Sequence, residues 1–346
     1  MSDALRTGIN LILGAGIAIG TFSCEEDFNP NTEADPIPVV YAVIDPDDSI
    51  YCIRLTKTFH CNSSIQDCAK VPRIQYFENP VVELELLTPQ EYLLNRVTLE
   101  PMILGNKEPG LFAQEPNLVY GISREHFEFE DDETEYIFSL HLILKIKAYE
   151  GAPLTYSHVM VRNPAKFEYP RKDYPQTFGL FEQKMEEISW WGYPDEFQNV
   201  IFRIGYSDNF YDSISYKHFD AVFEISPLNP EQPYFNRMEY DIAGEDFLRK
   251  MRIWFRDKPE PFDLEYRKIV SVSIVILSIN DDYREYIAAL NHDSDFDIKE
   301  ASNIINGIGL FAIKREAISA GHSFNQKTLD SIAGSQVTRH LKFVKW

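Results

Sequence analysis

Short apolar runs bounded by turn-forming residues recur along this chain, and in its first half no amphipathic helical pattern separates them. Pro38-Val39-Val40-Tyr41-Ala42-Val43-Ile44 ends at Asp45-Pro46-Asp47-Asp48. Ser49 to Phe59 then alternates, with Tyr51, Ile53 and Leu55 on one face and Arg54 and Thr56 on the other. Successive side chains of a strand point to opposite faces, so this segment reads as a two-stranded opening with one buried face. Further strands are expected at Val81 to Leu87, Leu118 to Ile122, Tyr136 to Ala148 and Leu154 to Val161. Such spacing favours an antiparallel sandwich over a parallel α/β sheet.

Pro164, Pro170 and Pro175 punctuate a stretch rich in Lys, Arg and Tyr, a density that suits a crossing between domains better than a central strand. The 346 residues are enough for about two domains. Beyond the crossing, Phe219, Ala221, Phe223 and Ile225 share one strand face while Asp220 and Glu224 take the other. Ile269 to Leu277 is nearly all apolar and is expected to be buried on both faces. Two helices are expected among these strands. Phe247, Leu248, Met251, Trp254 and Phe255 fall at helical spacing, as do Tyr283, Tyr286, Ile287 and Leu290 after an Asn280 cap with Asp281 and Asp282 in the first turn. Val337 to Val344 reads as a closing strand.

With 33 Lys and Arg against 54 Asp and Glu, the formal charge is -21. A field of that sign repels nucleic acid, whose binders need a basic patch to gain counterion-release free energy, so no nucleic-acid partner is expected. The 24 Phe and 19 Tyr argue for a packed, β-rich core and against disorder.

The first residues read as an address. Arg6 precedes the apolar run Leu11 to Ile19, which is too short to span a bilayer and fits a signal-peptide core over residues 1–23. Thr21-Phe22-Ser23-Cys24 follows at the position of a lipobox, in which a small residue precedes a Cys whose thiol receives diacylglycerol. Ser23 and Cys24 fit; Thr21 stands where Leu is usual, and Phe22 is bulky. Glu25-Glu26-Asp27 resembles the acidic signal that exports Bacteroidetes lipoproteins to the cell surface, and residues 24–36 read as a polar, Pro-broken tether. Gly14-Ala15-Gly16-Ile17-Ala18-Ile19-Gly20 mimics a dinucleotide-binding glycine motif. It lacks the preceding buried strand and the following βαβ unit that such a motif requires.

Pro38 to Ile50 resembles the opening of a family of uncharacterised Bacteroidetes outer-membrane surface lipoproteins, and further pieces agree in order. Trp190 to Tyr206 is similar to that family's Trp-containing strand followed by an apolar strand ending in Tyr. Ser302-Asn303-Ile304-Ile305-Asn306-Gly307-Ile308-Gly309-Leu310-Phe311 resembles its Asn-Ile turn and Gly-punctuated strand, and Thr328 to Ala333 resembles a short helix near its end. Gly307 reads as a turn position needing positive φ, and Gly309 as a strand position of close backbone approach. The resemblance implies an immunoglobulin-like or transthyretin-like sandwich over residues 37–163. A β-rich domain with two or three short helices is expected over 164–346. Members look like companions of outer-membrane transport barrels, and the family brings no catalytic residue.

Three cysteines remain after Cys24. Cys61 and Cys68 flank a polar loop, Asn62 to Asp67, and an exported location favours a disulfide between them, with Cys52 left in a strand. Zinc at His60 and Cys61 is the alternative, but the C-x-x-C knuckle is missing. Asp293-Ser294-Asp295-Phe296-Asp297 fails as a calcium loop, because Ile298 and Ile304 stand where Gly and Glu belong. The eight His form no H-E-x-x-H pair, and Glu128, Glu130, Asp131 and Asp132 belong to one acidic run. No catalytic residue, metal or cofactor is assigned. Trp190, Trp191 and Tyr193 are the candidate ligand platform, with core packing of at least one Trp as its rival. The reading that follows is a non-enzymatic lipoprotein, anchored to the outer membrane and facing the exterior, that serves as an accessory subunit beside an outer-membrane β-barrel. A glycan- or peptide-binding module is the alternative, and a hydrolase the third.

Overall fold

A computed structural model of the protein describes residues 35–345 apart from residues 60, 62–63, 106–114, 130–139, 173, 182, 226–234 and 292–296. The expected signal peptide, Cys24, Glu25, Glu26, Asp27, His60, Glu130 to Asp132 and Asp293 to Phe296 therefore lie outside the described residues.

The chain is mainly β. Its strands are β1 (Pro38–Ile44), β2 (Ile50–Lys57), β3 (Val81–Leu87), β4 (Leu93–Thr98), β5 (Glu100–Ile103), β6 (Leu118–Ser123), β7 (Leu140–Lys147) and β8 (Thr155–Val161). The later strands are β9 (Lys166–Tyr169), β10 (Thr177–Phe178), β11 (Met185–Gly192), β12 (Phe197–Phe210), β13 (Ile214–Ile225), β14 (Asn236–Ala243), β15 (Leu264–Ile279) and β16 (Ile308–Phe324). Two one-turn helices, α1 (Ile65–Cys68) and α2 (Pro72–Gln75), follow β2. The longer helices are α3 (Gly244–Arg256), α4 (Asp281–Leu290) and α5 (Gln326–Gly334), all in the second half.

One long sheet runs β13-β12-β15-β16-β1-β2-β6-β5, with β10 attached to β16. Its first-half end packs face to face against the sheet β4-β3-β7-β8. Val40, Ala42 and Ile44 from β1 and Tyr51, Ile53 and Leu55 from β2 meet Val82, Leu84 and Leu86 from β3 and Leu142, Leu144 and Ile146 from β7. The alternation seen in the sequence is thus the inner face of a sandwich, each large aliphatic contributing roughly 2 kcal/mol by burial. The other end of the long sheet packs against the sheet β14-β11-β9 and against α3, whose Phe247, Leu248, Met251 and Phe255 are buried.

β16 connects the two cores. Its residues Val39↔Ile308 through Ile44↔Ile313 pair in parallel with β1, and its later residues pair antiparallel with β15. Phe311 and Ile313 lie in the first core, whereas Ala317 and Phe324 pack with the second. Residues 37–163 and 164–346 are joined through one continuous sheet. Asn280 ties the same junction: its Oδ1 accepts from the Ile313 N–H at 2.6 Å, and its Nδ2 donates to the Met160 carbonyl at 3.4 Å. It precedes α4 as expected but makes no side-chain capping bond.

Three expectations need correction. Val337 to Val344 is not a strand: Arg339–Leu341 forms a 3₁₀ turn, Lys342 is left-handed at φ 60°, and Phe343 keeps a single bridge to Arg267. Leu341 and Phe343 still fill the second core, so the apolar residues were read correctly and the backbone was not. Ile269 to Leu277 is not buried throughout. Ile274, Val275 and Ile276 are fully buried, but Val270 is about half exposed, because α4 covers the outer face only around Leu277 and Ile279. The glycine roles also move. Asn306 takes the left-handed turn position at φ 56°, while Gly309 combines φ +129° with a backbone approach so close that a Cβ would strike the Val40 carbonyl. A Cβ on Gly307 would instead crowd the Ile304 side chain at 2.7 Å.

Candidate functional site

The sequence-nominated aromatics divide between core and surface. Trp190 is fully buried and its Nε1 donates to Gln198 Oε1 at 2.9 Å; Gln198 in turn donates to the Tyr193 carbonyl at 2.8 Å. Tyr193 is buried with the Arg162 guanidinium 4.6 Å from its ring centroid. Trp191 points away from Trp190, 40% exposed and stacked against Phe235, whose ring also meets Tyr193 edge-on. Adjacent strand residues face opposite sides, so the three rings cannot form one platform. Cys61 and Cys68 are joined as a disulfide, and Cys52 is a free, half-buried thiol in β2. Among the described residues no group of three or more His, Cys, Asp and Glu is placed to hold a metal ion.

Charge enters the interior at several places, Glu85 between Arg96 and Lys145 and Asp45 beside Lys314 among them, and two of the others sit where the long sheet joins the halves and where it ends. The first is the junction of the halves. Arg162, just past β8, donates from both terminal nitrogens to Asp195, at 2.6 and 2.9 Å, and lies 3.7 Å from Glu196. Burial pushes the Glu196 carboxyl up to about 8; Asp195 adds to the rise, and Arg162 and Arg315 oppose it. A free glutamate titrates near 4.5, so between those values the folded chain holds a proton that the unfolded chain has lost. Stability is therefore expected to be full below that lower value and to fall as pH rises toward 8. Glu196→Gln should flatten the profile, which urea unfolding at about pH 5 and about pH 8 will read. A profile unchanged by the substitution would place the proton elsewhere.

The second place is the end of the long sheet under the C-terminus of α3. Here a cavity of about 410 Å³ is lined by Tyr206, Asp208, Tyr216, Lys217, His218, Phe255, Lys258, Pro261 and Arg267. Asp208 continues the apolar face of β12 after Val200, Phe202, Ile204 and Tyr206, and its carboxylate is almost wholly buried. A lone buried carboxylate would be strongly unfavourable. Arg267 Nε donates to its Oδ1 at 2.8 Å and Lys217 Nζ to its Oδ2 at 2.7 Å. Arg267 is further fixed by donating to the Leu341 carbonyl at 2.8 Å and by lying over the Phe255 ring. Lys258 has its Nζ 3.3 Å from the centroid of the Trp254 ring, and burial, with repulsion from Lys217, holds its ammonium below the ordinary value. Among the described residues no carboxylate pairs with it.

The lining of this cavity thus sets three cations against one carboxylate in an acidic protein, and apolar side chains stand around it. Phe210 pairs with Leu264, which brings the β12–β13 turn and the loop before β15 together. There Tyr211 and Tyr216 are 87% and 71% exposed, Ile214 is more than half exposed, and Phe262 is fully exposed. Aromatic residues and basic groups at a concave site are the composition of binding surfaces, and grouped exposed apolar side chains mark them. No protein-family model matches the chain, and no curated protein matches it either. Sequence reasoning missed this site because its charged residues come from β12, β13, β15 and the loop after α3. The one trace was Asp208, a carboxylate at a position of the apolar period.

Proposed function

We propose that the mature chain is a lipid-anchored protein of the outer membrane, facing outward, that binds another protein through the basic, aromatic-rimmed end of its long sheet and catalyses nothing. The observation that carries the binding half of this reading is that the segments lining a cationic cavity, the β12–β13 hairpin and the loop before β15, also carry the exposed side chains Tyr211, Ile214, Tyr216 and Phe262. Interface energy concentrates in a few aromatic and basic anchors that become buried on association, and this end of the molecule offers both. The membrane half rests on the apolar run before Cys24, on Glu25-Glu26-Asp27, and on the resemblance to surface lipoproteins that accompany transport barrels. An outer-membrane β-barrel is the partner this reading implies. The alternative of glycan stacking on Trp190, Trp191 and Tyr193 retains only Trp191 with Phe235 as accessible aromatic surface.

The test is purification of the native protein from membranes in mild detergent. Co-elution of an outer-membrane barrel, with an intact mass beginning at lipidated Cys24, is the expected result. A chain that retains residues 1–23, or that elutes alone while its folded domains hydrolyse a glycan or peptide, would overturn the reading.

A further inference from the structure

We propose that the cavity beneath the C-terminus of α3 receives a carboxylate carried on an extended segment of the partner protein, with Lys258 and Lys217 as its cationic contacts. This rests on the reading of that end as a binding surface and specifies what it recognises. The charge balance selects the sign of the guest: three cations face one carboxylate, in a chain whose formal charge is -21. That carboxylate, Asp208, is already held by Arg267 and Lys217 and lies buried, so it neutralises its own partners and not Lys258. Lys258 sits over the Trp254 ring and is repelled by Lys217; an incoming anion relieves that repulsion. Lys217 spends one of its three donors on Asp208 and keeps its side chain 45% exposed, so further donors remain for a guest.

The available cations set how the anion is held. Arg267 has committed Nε to Asp208 and a terminal nitrogen to the Leu341 carbonyl, so it offers no free planar fork of the kind that grips phosphate bidentately. Two lysine ammoniums remain as point charges, which hold a carboxylate without that fork, and competition by phosphate separates the two anions. The surroundings bear on the carrier. Exposed Phe262 directly follows Pro261, which lines the cavity, and the neighbouring β12–β13 turn carries exposed Tyr211, so an acidic residue with apolar neighbours finds places for them to rest. A protein segment alternating acidic and apolar side chains meets these conditions.

The full mature chain is titrated with a blocked, labelled peptide of alternating Glu and Leu, with its Gln-for-Glu counterpart, and with inorganic phosphate as competitor. The Glu peptide is expected to bind, to weaken as salt is raised, and to bind roughly 10-fold more tightly than the Gln peptide. Lys258→Gln, at an exposed position, should lower affinity for the Glu peptide about 10-fold while leaving the unfolding midpoint unchanged. Equal binding of both peptides, no binding of either, or indifference to Lys258→Gln would overturn the proposal. Displacement by phosphate at peptide-like concentrations would do the same and reassign the cavity to phosphate. Failure of the peptide with retention of a barrel in native purification would sink the carboxylate alone. Peptide binding by a chain that elutes without a partner would sink the membrane-complex reading alone.

Discussion

Gly309→Ala should destabilise the protein by about 4 kcal/mol, read as the loss of unfolding free energy in urea. Two costs add at that residue. A φ of +129° lies where L side chains rarely go, and a Cβ would run into the Val40 carbonyl of the adjoining strand. Neither neighbour can yield, because Val40 and Gly309 are register partners in the parallel β1–β16 pair that joins the two cores. Gly307→Ala is the comparison. Its Cβ would meet the Cγ2 methyl of buried Ile304, with the Pro38 carbonyl and Thr155 Cγ2 close behind, but its φ is not strained, and a loss of about 2 kcal/mol is expected. Equal losses at the two glycines would mean that the β1–β16 contact is not the constraint described.

Asp208→Ala should cost about 4 kcal/mol, because it leaves the Arg267 guanidinium buried with the Leu341 carbonyl and the Phe255 ring but no carboxylate. Lys217→Ala removes the other cation on the same carboxylate and should cost less than about 1 kcal/mol. Its side chain is 45% exposed, so water takes over what the ammonium supplied. The pair of variants separates the structural half of the cavity from its accessible half. If Lys217→Ala proves as damaging as Asp208→Ala, the ammonium is holding the fold and is not free to meet a guest.

Local pattern carried much of the fold. Tyr51, Ile53 and Leu55 announced the inner face of β2, Phe219 to Ile225 that of β13, and Phe247, Leu248, Met251 and Phe255 the buried stripe of α3. The Cys61–Cys68 pairing was legible from their short spacing around a polar loop, given an expected export. What was not legible lies in contacts that no local period encodes. The parallel pairing of Val40 with Gly309 brings together residues far apart in the sequence, and nothing in either segment names the other. Val337, Leu341 and Phe343 signalled burial without signalling that Lys342 turns left-handed between the last two. The cavity was hidden for a similar reason: Lys217, Lys258 and Arg267 look like ordinary surface charges until β12, β13 and β15 are laid side by side.

The proposed binding surface is tested most directly by purifying the wild-type chain and a Tyr216→Ser, Phe262→Ser variant from native membranes in parallel. Both side chains are exposed, so the double variant should keep the wild-type unfolding midpoint. An outer-membrane barrel is expected to co-elute with the wild type and to be lost from the variant. A variant that retains the barrel as the wild type does, or a wild-type chain that elutes alone in several mild detergents, would contradict the assignment of this end of the sheet as the partner-binding surface.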